Sequence, residues 1–256
     1  MTALASTPSS AAIDPLQQAR LDLACAFRWA ARLNWHEAVA NHFSLAVNES
    51  GSRFLINPGF RHFSLIRASA LLVVDTEEPP ALAGDNAPDP TAWGLHGAIH
   101  RRCPHARCVL HVHSRYATVL ASLADSTLPP IDQNSARFYN RVVVDEGYGG
   151  MAFEEEGERC ARLLDDPLRR VMVMGNHGVL AIGQSVAQAF DELYYFERAA
   201  KTVITAYMTG RPLRVLSPEV AEHTARQWEK YPGPSAERHL ADLNRILERE
   251  EPDYQL

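Results

Sequence analysis

The sequence has no excess of positive charge. Twenty-five Lys and Arg stand against 31 Asp and Glu, a formal net charge of −6 at pH 7. Such a chain lacks the cationic face that general nucleic-acid binding needs. It also has no run of about 18 apolar residues, the length that a membrane-crossing helix requires. The opening stretch MTALASTPSSAAIDP has neither a basic start nor a long apolar core, so no secretory leader is expected. Cysteine is scarce: Cys25, Cys103, Cys108 and Cys160 are too few and too scattered for a disulfide scaffold. These absences point to a reduced, cytoplasmic protein with no nucleic-acid and no membrane partner. What is present is an ordinary apolar fraction, 46% of 256 residues, which is enough for a sizeable core.

Residues 1–13 are rich in Ser, Thr, Ala and Pro and read as a flexible tail. Asp14-Pro15 then reads as an N-cap with proline at the first helical position, and Leu16, Ala19, Leu23 and Phe27 keep helical spacing to about Leu33. Short apolar runs predict strands at 42–47, 53–56, 70–74, 108–113, 141–144, 171–174 and 179–182. Helices are predicted at 91–102, 114–123 and 154–164, with a long one after Ser185 that Gly210 and Pro212 end. Glu154-Glu155-Glu156 reads as a solvated, acid-favoured first helical turn. The last forty residues hold two more helices, split at Tyr231-Pro232-Gly233-Pro234. Interspersed strands and helices without a fixed repeat imply one α/β domain over 14–212, with a mixed or antiparallel sheet, followed by a C-terminal helical extension, 213–256.

Eleven histidines are a high count. His111 and His113 lie two apart on a predicted strand, so their side chains share a face and can converge on one ion, while Leu110 and Val112 pack on the other. Such a pair also occurs as plain polar packing at a sheet end, and spacing alone does not choose a third ligand. His177 sits in a glycine-flanked turn, Gly175-Asn176-His177-Gly178, between two apolar strands. His96 and His100 lie four apart on a predicted helix, also a ligand spacing, but without the glutamate of the zinc-protease motif. Cys108 is an odd number of residues from His111 and faces away. Three imidazoles would leave an open coordination position, as a catalytic metal site requires.

Five segments in order resemble the class II aldolase/adducin superfamily over roughly residues 15–210: Val39–Ser44, Phe54–Pro58, Leu95–His100 followed by Cys103-Pro104, Val109–Ser114, and Gly175–Leu180 followed by Gly183. The Asn41-His42 form of the first motif and the stretch Gln133–Gly150 bring it nearest the adducin-like bacterial branch. The resemblance implies an α/β fold, a three-layer α/β/α sandwich around a largely antiparallel sheet. It implies a divalent metal, zinc first and manganese or iron as alternatives, held by His111, His113 and His177. It also implies a homo-oligomer, tetramer or dimer, with active sites near subunit interfaces, acting on a small-molecule substrate. Ala92 stands where sugar-phosphate aldolases carry their proton-shuttle glutamate, with Asp89 three residues away. Asn41-His42 and Pro58-Gly59-Phe60 replace the phosphate-holding motifs, and Gln133 takes the place of a tyrosine used across the subunit interface. A lyase that cleaves or decarboxylates a hydroxy- or keto-acid is therefore expected rather than a sugar-phosphate aldolase. His96, Arg61 and Tyr139 are the expected catalytic helpers, with His62, His100 and Arg137 as further candidates. The alternative is a non-catalytic, adducin-like assembly module that keeps the fold.

Overall fold

Alternation of side chains along short strands organises the chain. The computed structural model describes residues 14–78, 80, 84, 86–150, 154–231 and 234–256, so the expected tail at 1–13 lies outside the described residues. Seven strands, β1 (His42–Ala46), β2 (Arg53–Ile56), β3 (Leu72–Asp75), β4 (Cys108–Val112), β5 (Val142–Asp145), β6 (Val171–Met174) and β7 (Gly178–Gly183), form one sheet in the order β3-β2-β1-β4-β7-β6-β5. Neighbours run antiparallel except β5 and β6, which are parallel. The sheet is thus mixed, which corrects the expectation of a largely antiparallel one. The reason lies in the connection: helix α5 (Glu154–Leu163) joins β5 to β6, and a helical crossover returns the chain parallel where a hairpin returns it antiparallel.

The other helices are α1 (Pro15–Arg32), α2 (Pro90–Arg102), α3 (Arg115–Ala121), α4 (Gln133–Arg137), α6 (Val186–Met208), α7 (Pro218–Glu229) and α8 (Ser235–Glu250). Leu110, Val112, Val171, Val173, Val179 and Ala181 share a core cluster with buried residues of α1, α6 and α8. Their strand neighbours Val109, Met172, Met174, Leu180 and Ile182 join a separate cluster with Leu95 and Ile99 of α2 and Cys160 of α5. The period of two places His42, Ser44 and His111 on this second face.

Side-chain caps start two of the longer helices, one on each face of the sheet. Asp89 accepts hydrogen bonds from Thr91 N (2.8 Å) and Ala92 N (3.4 Å) at the start of α2, and Ser185 accepts from Gln188 N (3.2 Å) at the start of α6. Asp14 precedes α1, but its side chain makes no cap hydrogen bond. α2 and α5 meet backbone to backbone: a Cβ on Gly157 would lie 2.4 Å from Gly94 O, so only glycine allows the crossing. Beyond residue 213, Leu240, Leu243, Leu247 and Tyr254 are buried in the same cluster as α1 and α6. Buried Arg28 of α1 ties this segment down, with Glu251 at 3.0 Å, Asp253 at 2.8 Å and Ile66 O at 2.9 Å.

Candidate metal centre

β4 ends at the rim of the sheet and delivers His111 within the strand and His113 just past it. The tight turn between β6 and β7 delivers His177. Asn176 takes the left-handed conformation in this turn (φ +57°), which asparagine tolerates better than most residues. Gly178 is needed for a different reason. A Cβ there would come within 2.7 Å of both Val112 O and His113 Cδ2. Glycine lets the turn lie against β4, and the three imidazoles meet: ring centroids are 5.0 Å apart for His111–His113 and 4.9 Å for both pairs with His177. One ligand-type nitrogen of each residue lies within 4.8 Å of the other two.

The outer nitrogens of two rings are already engaged. Val179 O accepts from His111 Nδ1 (3.1 Å), and the Glu37 carboxylate accepts from His113 Nδ1. Burial, followed by the neighbouring imidazoles His42, His113, His177 and His96, holds the His111 pKa well below its ordinary value. Burial also lowers His113, although the Glu37 hydrogen bond opposes it. Neutral rings that donate through Nδ1 carry lone pairs on Nε2, and these two Nε2 atoms are 3.1 Å apart. A cation between them relieves that opposition. His177 Nδ1 is buried without a hydrogen-bond partner. The donor set therefore fits a divalent ion: neutral imidazoles, two oriented by hydrogen bonds to a carbonyl and a carboxylate, as metal-binding histidines usually are.

The three histidines open on a cavity of about 250 Å³. Val39, Ala40, Phe60 and Leu95 supply its apolar wall, and His42, Asp89, Thr91 and Glu156 its remaining polar groups. A larger hollow of about 1000 Å³ lies against α7 around Trp228, and it contains no metal-ligand cluster among the described residues.

Glu156 corrects the reading of Glu154–Glu156 as a wholly solvated turn. Glu155 is exposed, but Glu156 is buried and turned inward, with Oε1 3.7 Å from His177 Nδ1. Its spacing carried a signal, because Glu156, Cys160 and Leu164 follow one another at i, i+4 along the buried stripe of α5.

The expected helpers lie elsewhere. His96 is fully buried behind His42, with its Nε2 2.7 Å from His42 Nδ1, and does not line the cavity. His100 lies deeper, bonded to Ser44 Oγ (2.8 Å). Phe60 faces the cavity but Arg61 does not, and His62 is bonded instead to His36 Nε2 (2.7 Å) and Ser64 Oγ (2.8 Å). Arg137 pairs with Asp191 (2.9 Å) and Glu192 (3.1 Å) against the rings of Tyr195 and Trp228. Tyr139 lies two residues past the end of α4, where its carbonyl accepts from Arg141 Nη1 (2.9 Å), and it does not line the cavity either. Ala92 is buried in a small cluster with Phe54, Ile56 and Val74. Among the described residues, no Lys or Arg side chain lines the cavity.

Residues 21–204 match the family model described as the Class II Aldolase and Adducin N-terminal domain. A protein of Caulobacter vibrioides assigned by name to aldolase class 2 is 30% identical over 214 residues, 82% of this chain and 80% of that one. Decarboxylase NovR of Streptomyces niveus is 27% identical over 206 residues, 80% of this chain and 75% of its own length. Among solved structures, an aldolase II superfamily protein from Pseudomonas syringae superposes with a TM-score of 0.84 at 33% identity, covering 95% of this chain and 98% of its own. No described helix is long and apolar enough to cross a membrane.

Proposed function

Because the chain belongs to the class II aldolase and adducin family, we propose that it is a divalent-metal-dependent lyase that breaks a carbon–carbon bond in a small hydroxy- or keto-acid, by decarboxylation in preference to aldol cleavage. The observation that carries this reading is the convergence of His111, His113 and His177, one nitrogen from each within 4.8 Å, at the floor of a small cavity. These residues would hold the ion, and three imidazole ligands suit zinc first, with manganese or iron as alternatives. A divalent ion so held would supply Lewis-acid chemistry, polarising a substrate carbonyl that serves as the sink for the electron pair of the broken bond.

The chain's own residues favour loss of CO2. Ala92 offers no carboxylate to remove a proton first, and decarboxylation needs none. With no Lys or Arg among the described residues lining the cavity, a substrate carboxylate that lies against Val39, Phe60 and Leu95 is poorly solvated, and its departure as neutral CO2 ends that cost. The carbon that keeps the electron pair must then take up a proton. Glu156, buried beside His177, is placed to relay one from water. The decarboxylase name of one relative supports the same direction. Four buried, unpaired cysteines suit a reduced cytoplasmic location, and we place the enzyme there as a homo-oligomer.

The test combines elemental analysis with a scan of small keto- and hydroxy-acids for CO2 or aldehyde release. Wild type should retain about one divalent ion per chain and turn over at least one acid, and His113→Ala should lose both while its circular dichroism stays that of a folded protein. Equal metal content in the two proteins would overturn the metal site. An oligomer that retains its metal yet turns over no acid would favour an assembly module of the adducin kind.

A further inference from the structure

Behind the metal centre, four side chains and one carbonyl form a continuous buried hydrogen-bonded chain. His100 Nδ1 lies 3.1 Å from Ala106 O, and His100 Nε2 lies 2.8 Å from Ser44 Oγ. Ser44 Oγ is also bonded to His96 Nδ1, and His96 Nε2 lies 2.7 Å from His42 Nδ1. His42 then lines the cavity. Ser44 and His96 are fully buried, His100 nearly so, and no water is needed to complete the chain.

A carbonyl oxygen only accepts, and this settles every proton in the chain. His100 must carry its hydrogen on Nδ1. Burial depresses its pKa to about 3, so the ring is neutral and Nε2 is a bare acceptor. Ser44 must then donate to His100, which leaves its oxygen lone pairs to accept from His96 Nδ1. His96, also held neutral by burial, is left with a bare Nε2 that accepts from His42 Nδ1. The remaining nitrogen of His42 has no partner among the described residues, and it is not one of the buried atoms left without contact to space or protein. It is also outside the metal-ligand trio.

We propose that this chain, anchored on the Ala106 carbonyl, fixes His42 as the Nδ1–H tautomer and presents its bare Nε2 to the cavity as the acceptor for a substrate hydroxyl, so that the site selects a hydroxy-acid over an acid lacking the hydroxyl. The second polar wall agrees. The Asp89 carboxylate is also an acceptor, and the nearby Thr91 hydroxyl is spent on Asp89. A ligand that brings its own donor is the one this wall can satisfy, because a bare acceptor left unpaired against an apolar ligand group costs more than the bond it forgoes. The selection of a hydroxy-acid rests on the lyase reading above; the order of protons does not.

The experiment is 15N-detected NMR of histidine-labelled protein, metal-free and zinc-loaded, with glycolate and acetate as probes. Ring nitrogens report protonation directly, so the result is independent of turnover. Wild type should show His100, His96 and His42 all protonated at Nδ1. Glycolate should shift the His42 Nε2 resonance of the zinc-loaded protein, and acetate should leave it unmoved. Ser44→Ala interrupts the chain between His96 and His100. It should give His42 a mixture of tautomers and weaken glycolate about three- to tenfold, the worth of one hydrogen bond, with little change for acetate. A His42 protonated at Nε2 in wild type would overturn the proposal, and so would a Ser44→Ala protein that keeps both the tautomer and the preference. Correct tautomers with no response to glycolate would overturn the hydroxyl selection. Should wild type show the expected tautomers and the glycolate shift but catalyse nothing, the lyase reading would fail while the recognition stands.

Discussion

Gly178→Ala puts the assembly of the metal centre to a direct test. The added methyl would meet Val112 O and His113 Cδ2, each at 2.7 Å. Neither neighbour gives way freely. Val112 pairs with Val179 in the β4–β7 ladder, so its carbonyl is fixed by the sheet. The His113 ring is therefore the part that moves, away from His111 and His177. Forcing one methyl into a filled site costs about 1–3 kcal/mol. For a chain of this size each kcal/mol lowers the melting temperature by about 2–4 °C, so the metal-free variant should melt roughly 2–12 °C below wild type.

A second effect, of similar size, falls on the ion. Metal–ligand distances tolerate shifts of only about 0.2 Å, and misorienting one ligand typically costs about 10- to 100-fold in affinity. Zinc-induced stabilisation follows RT ln(1 + [L]/Kd), so the rise in melting temperature on adding zinc should shrink by the equivalent of about 1.4–2.7 kcal/mol. Thermal melts followed by circular dichroism with and without zinc, together with a chelator competition, measure both quantities. A variant that melts with wild type and shows the same zinc-induced rise would refute the claim that close approach at residue 178 assembles the site.

Gly97→Ala is the contrasting case. A Cβ there meets only Arg101 Nη1 at an ordinary 3.6 Å, so the helix gains from the lost backbone freedom, and thermal melts should show stabilisation by about 0.5–1 kcal/mol. Glu156→Gln keeps the shape but removes the ionisable group; steady-state assays should show turnover falling by about 100-fold or more with zinc content unchanged. Acid should loosen α7 from the sheet edge. The hydrogen bond from Arg141 holds the Glu222 carboxyl down to about 2, below its unfolded value, so its stabilising contribution is complete above about pH 4.3 and is lost as pH falls towards 2. Solvent screening keeps that contribution on the order of 1 kcal/mol or less. Trp228 fluorescence across an acid titration should show this step in wild type and not in Glu222→Gln.

How much of this could be read beforehand depended on how local each cause was. The strands and long helices follow from periodicity within ten or so residues, and so does the shared face of His111 and His113; spacing does not select His177, which joins them only through the resemblance of Gly175–Leu180 to a known family. α4 escaped because five residues hold too little periodicity. Its only sequence mark is the Asp132–Ser135 capping pair, in which Ser135 N donates to Asp132 Oδ1 (2.7 Å). The inward turn of Glu156 depends on α5 crossing α2 at Gly157 and Gly94, a contact between segments some sixty residues apart. Arg28 sits inside the apolar stripe of α1, and its carboxylate partners are more than two hundred residues away at Glu251 and Asp253. Arg61 and Tyr139 suit the chemistry by residue type, but no periodicity in the sequence bears on where they point.

The charge around the centre explains why a cation and the histidines belong together. His42, His96, His100 and His111 share one buried region, where a single protonated ring would lose its hydration and two would also repel each other at close range. Burial keeps them neutral: His42 falls to about 4, chiefly through desolvation, and His100 to about 3. The cluster therefore contributes dipoles and lone pairs but no charge. Around it stand carboxylates, with Glu37 on His113, Asp89 on the cavity wall and Glu156 beside His177, and among the described residues only the last pairs with an arginine, Arg159 at 3.7 Å. Negative charge gathered about neutral nitrogen ligands, with no Lys or Arg side chain at the cavity wall, is a field that draws a divalent cation and repels a free acid. On the metal-dependent reading proposed above, an anionic substrate would therefore bind after the ion, because only the ion would reverse that sign.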